Sequence, residues 1–215
     1  MSSDSIVHIA LVAGESSGDQ LAAELVKGAQ AAFSEVRATG IAGEAMVRAG
    51  VEAWWPSQSL AVRGYFEPIR HLPRIIGMRS DLINRLTIAP PDVFVGVDAP
   101  DFNLGLETKL RVSGIKTMHY VSQSIWAWRP KRIEKIRAAA DHVLLIFPFE
   151  QKIYQEAGIP ATYVGHPFAP HIPLLPNAPM ARDALQLPRD KTTVALLPGS
   201  RHSEIDYNLP VFLQA

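Results

Sequence analysis

Chemistry in this sequence could reside where polar side chains directly follow short apolar runs. Asp98 ends the β-branched and aromatic run Val93–Val97 and opens Asp98-Ala99-Pro100-Asp101-Phe102-Asn103. In open α/β sheets ligands gather at the carboxyl ends of strands, so a carboxylate there faces the expected cleft. Asp98 is therefore the candidate general base, a group able to take the proton of an attacking hydroxyl. Asp101, beside Phe102 where the apolar pattern resumes, reads as the cap of the next helix. Gly14, Glu15, Ser16, Ser17 and Gly18 follow the run Ile6–Ala13. Glycines there would let backbone N–H groups and a helix N-terminus approach an anion or a sugar oxygen. The spacing fits neither the dinucleotide fingerprint nor the Gly-Lys-Ser/Thr phosphate loop, and a well-capped strand-to-helix turn remains the competing reading, with Asp19 or Ser17 as the cap.

Further polar groups extend the candidate site. His119-Tyr120-Val121-Ser122-Gln123-Ser124-Ile125-Trp126-Ala127-Trp128-Arg129 places hydroxyls, two indoles and a guanidinium at another expected strand end. Such groups can stack on sugar rings and pair with phosphate, although tryptophans at such a junction also close cores. Gly199, Ser200 and Arg201, after Leu196-Leu197-Pro198, form a glycine turn with an arginine suited to a diphosphate. No Asp-x-Asp pair occurs, and His166 and His171 lack a suitable third ligand, so chemistry without a metal is expected. His119 stays open between a site residue and a satisfied core histidine.

The elements that must position these groups alternate between strand and helix. Strands are predicted at Ile6–Ala13, Val36–Ile41, Val51–Trp54, Val93–Val97, Lys116–Val121, His142–Ile146 and Ala161–Val164, with helices between most of them. That alternation predicts an α/β fold, a doubly wound parallel sheet of Rossmann type. Leu21, Leu25, Ala29 and Ala32 should line the buried face of the first helix. Residues 1–166 make the first domain, and 167–179, with prolines at 167, 170, 173, 176 and 179, a linker. Residues 180–215 begin a second α/β domain: a short helix at Met180–Leu187, a buried strand at Thr193–Leu197, then a helix. A single strand cannot bury its own faces, so the chain is read as the start of a longer protein, with a tail packed on the first sheet as the alternative.

Composition narrows the partners. With 21 Lys+Arg against 21 Asp+Glu, the chain lacks the bulk charge of a general nucleic-acid binder. It contains no cysteine, which removes disulfides and thiol nucleophiles and suits a reducing compartment. No Lys or Arg precedes Lys27, so the first apolar run lacks the flank of a signal peptide, and no apolar stretch is long enough to span a bilayer. One local charge excess stands out: between Leu60 and Pro90 five arginines face two acids among Phe66, Ile69, Leu72, Ile75 and Ile76. That surface could lie on anionic lipid and admit acyl chains. An amphipathic crossover helix broken near Pro68 and Pro73 is the other reading.

Taken together, Leu11–Asp19, Phe94–Asn103, the His119–Trp128 segment and Leu196–Arg201 resemble the lipid-A-disaccharide synthase family, with the motifs in order over almost the whole chain. The resemblance implies an inverting glycosyltransferase with two Rossmann-like domains and no cofactor. Such an enzyme passes diacylglucosamine from its UDP derivative to diacylglucosamine 1-phosphate. It further implies peripheral attachment to the cytoplasmic face of a Gram-negative inner membrane. Asp98 would be the base. Gly14–Gly18, Asn103, Ser122, Ser124, Trp126 and Arg129 would hold the acceptor, and Gly199, Ser200 and Arg201 the departing UDP. A homodimer stays open. The chain departs from the family at Gln123, where proline is common, and near Pro170, where aspartate is. Complete members also continue through a second domain that supplies most of the UDP-sugar site. The rival readings are a lipid-acceptor and membrane-binding module without turnover, and another two-domain sugar-nucleotide enzyme such as an epimerase.

Overall fold

The computed structural model describes residues 6–60, 68–122, 125, 132–199 and 202–214. Its centre is a sheet of seven parallel strands: β1 (Val7–Ala13), β2 (Val36–Ala42), β3 (Glu52–Pro56), β4 (Val93–Val97), β5 (Thr117–Tyr120), β6 (His142–Leu145) and β7 (Ala161–Tyr163). They lie in the order β3-β2-β1-β4-β5-β6-β7. The chain begins at mid-sheet, winds outward to β3, crosses back to β4 and winds out the other way. All seven strands predicted for residues 1–166 are present, and the α/β doubly wound class is the observed one. The winding direction reverses between β1 and β4, where loops diverge and leave a crevice.

Register decides what meets at that crevice. Ala13 pairs with Val97 and Val97 with Tyr120, so β1, β4 and β5 end level and release their loops side by side. The chain then turns sharply: the Asp98 N–H donates to the Tyr120 carbonyl at 2.9 Å.

Both sheet faces are covered, which is why β1 is apolar at almost every position. On one face α1 (Ser16–Ala32) lays Leu21, Ala22, Ala23 and Val26 over Leu11, Ala13, Val95 and Val97. Leu25 and Ala29 are only partly buried there, and Ala32 is exposed. On the other face Met78, Leu82 and Leu86 of α3 (Pro68–Ile88) and Leu106 and Leu110 of α4 (Pro100–Val112) pack on Ala10, Val12 and Phe94. A third cluster joins α5 (Arg132–Ala139) and α6 (Glu150–Glu156) to β6 through Ile136, Leu145 and Tyr154.

Several expectations are corrected. Neither Asp19 nor Ser17 caps α1: Glu15 occupies the cap position and no side chain bonds there. Asp19 lies one turn inside, buried, where its carboxylate accepts from the N–H groups of Gly43 (2.9 Å), Ala45 (2.9 Å) and Met46 (3.1 Å). It anchors the start of α2 (Glu44–Arg48) rather than its own helix. Asp101 does not cap α4 either: Ala99 holds that position in a left-handed conformation, and Asp101 is exposed and paired with Arg132 at 3.3 Å. The crossover helix α3 is not broken over its described span, Pro68–Ile88, and carries Pro73 inside it.

Residues 192–199 form no strand, and Val194 and Leu197 are 76% and 81% exposed. No described strand runs beside the predicted Thr193–Leu197 strand, so its backbone has no ladder to join and its faces no cover. The tail does form helices, α7 (Ala178–Ala184) and α8 (His202–Phe212). Asn177 caps α7, accepting from the Met180 N–H at 3.0 Å.

Candidate functional site

Asp98 stands on the rim where β1, β4 and β5 end, half-buried, with φ of 50°. Ala99 follows at φ 42° and Val121, just past β5, has φ 77°. Of the four non-glycine residues with positive φ among those described, these three share this rim, and Gln186 lies in the tail. Left-handed backbone costs about 1 kcal/mol or more for alanine and for a β-branched residue, so the surrounding packing must impose it; such strain gathers at functional sites.

The glycines of the first loop bring the β1 and β4 ends together. A Cβ on Gly14 would come within 3.1 Å of the Ala99 Cβ, and one on Gly18 would lie 3.5 Å from the Val97 carbonyl. Gly14 and Gly18 are buried, whereas Glu15, Ser16 and Ser17 are exposed on the rim beside Asp98. Burial raises the Asp98 carboxyl above its ordinary value. The Ala99 N–H opposes this, the Glu15 charge reinforces it, and His119 opposes it again. A carboxylate so raised is a stronger base than a solvated one.

Behind the rim lies a buried polar group that sequence reasoning caught only in part. Asn103, expected to touch substrate, is fully buried. Its side-chain amide donates to the carbonyls of Asp98 (2.8 Å), Val97 (3.3 Å) and Val12 (3.4 Å). One turn along α4, Glu107 is also fully buried, with Oε1 at 2.8 Å from His119 Nδ1. Burial lowers the His119 imidazole, but the charge and hydrogen bond of Glu107, with a smaller contribution from Asp98, raise it above its ordinary value overall. Gly96 faces His119 in the β4–β5 register and makes the room: a Cβ there would lie 2.0 Å from Glu107 Oε1. Glu107 escaped the sequence reading. A signal was available, since a lone acid four residues after Asn103 interrupts the apolar face of α4 opposite a strand glycine.

Ser122 is buried, with its hydroxyl 2.8 Å from the Tyr154 hydroxyl. The Glu150 carboxyl beside it is raised by burial, and burial likewise pushes Tyr154 up to about 12. Ser122 thus turns into the protein under the rim, in company with Glu150 and Tyr154, neither of which the motifs pointed to. Ser124, Trp126, Arg129, Ser200, Arg201 and Phe66 lie outside the described residues, as do the side chains of Ile69 and Leu72. Ile75 is partly buried against the α3/α4 core, while Ile76 is 45% exposed. Gly199 sits in the tail at φ 134°, next to a loop that Asn208 holds through the Pro198 carbonyl at 2.8 Å.

An open depression of about 450 Å³ lies off this rim, beyond the β2 and β3 ends, lined by Gly43, Val47, Arg48, Trp54, Trp55 and Gln58. Strain, buried charge and converging loops mark the Asp98 rim instead, which makes it the candidate site. Among the described residues no cluster of three or more His, Asp or Glu could hold a metal, and no helix is long and apolar enough to cross a membrane.

Comparison with known proteins gives this rim a context. Residues 9–215 match the family model described as lipid-A-disaccharide synthetase. The chain is 50% identical over 207 residues to the lipid-A-disaccharide synthase of Chromobacterium violaceum, covering 96% of this chain and 54% of that protein. It is 51% identical to that of Verminephrobacter eiseniae and 49% to that of Bordetella pertussis, each over 97% of this chain and 54% and 53% of those proteins. The chain thus spans about half the length of these relatives. Among solved structures, Acinetobacter baumannii MurG superposes with a TM-score of 0.44 at 12% identity over 66% of this chain and 41% of that one, too distant to bear on the site.

Proposed function

This chain belongs to the lipid-A-disaccharide synthetase family, and from that premise we propose that it forms the acceptor-holding half of a glycosyltransferase of lipid A biosynthesis. The reaction joins diacylglucosamine from its UDP derivative to diacylglucosamine 1-phosphate, giving the disaccharide 1-phosphate and UDP. Asp98 takes the proton of the acceptor hydroxyl as that oxygen bonds to the donor's anomeric carbon. The carbon–oxygen bond to UDP breaks on the opposite face, so the configuration inverts. The observation that carries this reading is the placement of Asp98: a carboxylate raised by burial, on a left-handed turn, at the point where the sheet reverses its winding.

Gly14–Gly18 and the residues after β5 frame the acceptor on either side of Asp98, while Gly199, Ser200 and Arg201 meet the diphosphate. In this reading residues 1–166 are the acceptor and membrane-binding domain, 167–179 the linker and 180–215 the start of the nucleotide-sugar domain. The protein sits on the cytoplasmic face of the inner membrane through the basic, apolar surface around Phe66, Ile69, Leu72 and Ile76. A homodimer is compatible with this arrangement.

Asp98→Asn in the full-length protein should lower turnover by about 100-fold or more, the usual worth of a general base, with little change in the acceptor KM. Near-normal UDP release would refute the assignment.

A further inference from the structure

The polar residues beneath Asp98 do more than fill space. Asn103 has two N–H donors and sends them to three carbonyls at the ends of β1 and β4, those of Val12, Val97 and Asp98. Val12 and Val97 are among the last residues that pair in β1 and β4, and Asp98 is the first residue past β4, beside the crevice. The shortest of the bonds, 2.8 Å, falls on the carbonyl of Asp98, between two consecutive left-handed residues. Nothing in the intrinsic preference of Ala99 favours φ of 42°.

The support continues inward. Asn103 and Glu107 share a face of α4, and both press on Gly96: its Cβ would lie 2.9 Å from the Asn103 Cβ and 2.0 Å from Glu107 Oε1. Glu107 is held in turn by His119 at 2.8 Å. The side chains of all three residues are fully buried. Asn103 Oδ1, Glu107 Oε2 and His119 Nε2 find no hydrogen-bond partner among the described residues. Unsatisfied buried polar atoms are costly, and a core filled with leucine would avoid them, so the arrangement calls for a return in function.

We propose that Asn103 is a positioning residue, clamping the left-handed turn that presents Asp98 to the acceptor, with the Glu107–His119 pair as its buttress across Gly96. This deepens the reading of Asp98 as base and rests on it. Asn103 makes no contact with substrate. It sets the direction of the carboxyl by holding the carbonyl of the same residue.

The test uses Asn103→Leu, which keeps the forked shape and removes the donors, and Asn103→Ser, a smaller side chain that keeps one donor should the bulkier leucine variant fold poorly. In the full-length protein kcat should fall about 10-fold or more in Asn103→Leu and less in Asn103→Ser, with KM for both substrates within about 2-fold of the parent. In the same variants the ¹³C resonance of the Asp98 carboxyl should titrate at a lower midpoint, as the released turn moves toward solvent. A folded variant with unchanged kcat and an unmoved Asp98 titration overturns the proposal, as does a loss confined to KM. If Asp98→Asn kept its turnover, the base assignment would fall; a shifted Asp98 titration in Asn103→Leu would still support the clamp, and an unshifted one would sink it too.

Discussion

Gly96→Ala tests the buried network from beneath the rim. Gly96 is not among the residues with left-handed backbone, so alanine can adopt its conformation and should even gain from a less flexible unfolded chain, by about 0.4–1 kcal/mol. Against that small gain stands the new methyl, 2.0 Å from Glu107 Oε1, 2.9 Å from the Asn103 Cβ and 3.0 Å from its Cγ. Ordinary contact begins near 3.4 Å, so the Glu107 carboxylate must retreat by about 1.4 Å. It is fully enclosed and bonded at 2.8 Å to an equally enclosed imidazole, so retreat separates the pair. Breaking a buried pair costs about 3–5 kcal/mol because both groups stay desolvated. After the backbone gain, the net loss should be about 2–4 kcal/mol, or roughly 5–15 °C in Tm for a protein of this size. Urea unfolding of Gly96→Ala, Glu107→Ala and the double variant forms a cycle. The double variant should be less destabilised than the two singles added, since removing the carboxylate removes the obstacle. A loss under about 1 kcal/mol in Gly96→Ala, or simple additivity, would refute the claim that Gly96 exists to house Glu107.

Asp19→Ala should cost about 2–4 kcal/mol, because three backbone N–H groups lose a charged acceptor, whereas Asp19→Asn should recover part of it; thermal melting distinguishes the two. His119 carries a pH signature with a definite sign. Its folded-state pKa lies above the ordinary 6.5, so the stability it contributes is fully present below about pH 6.5 and is lost as pH rises through the folded midpoint. Urea midpoints measured upward from pH 6 should therefore fall, and Glu107→Gln should flatten that fall; an unchanged slope in the variant would show that Glu107 is not what raises His119.

Much of the architecture was legible before any coordinate. The apolar runs that became β1, β4 and β6 are continuous because both their faces are covered, and that pattern is visible in a line of text. Asp98 could be placed at a strand end because the run Val93–Val97 stops abruptly at it. The glycines around residues 14–18 likewise announced a close approach, since no other residue tolerates it as well.

Other roles depended on partners distant in sequence. Asp19 looked like a cap of its own helix, yet its acceptors serve N–H groups 24 to 27 residues away. Asn103 looked like a ligand for substrate, yet the level ending of β1 and β4 turned its amide toward their carbonyls. Glu107 became half of a buried pair only because the β4–β5 register sets Gly96 opposite His119. Thr193–Leu197 has the composition of a strand but no neighbour among the described residues to make it one. Periodicity, turn chemistry and strand ends are decided within a few residues, so the amino-acid order alone determined them. Which buried polar atom meets which, and whether a β-prone segment finds a ladder, depends on elements that only the folded chain brings across one another.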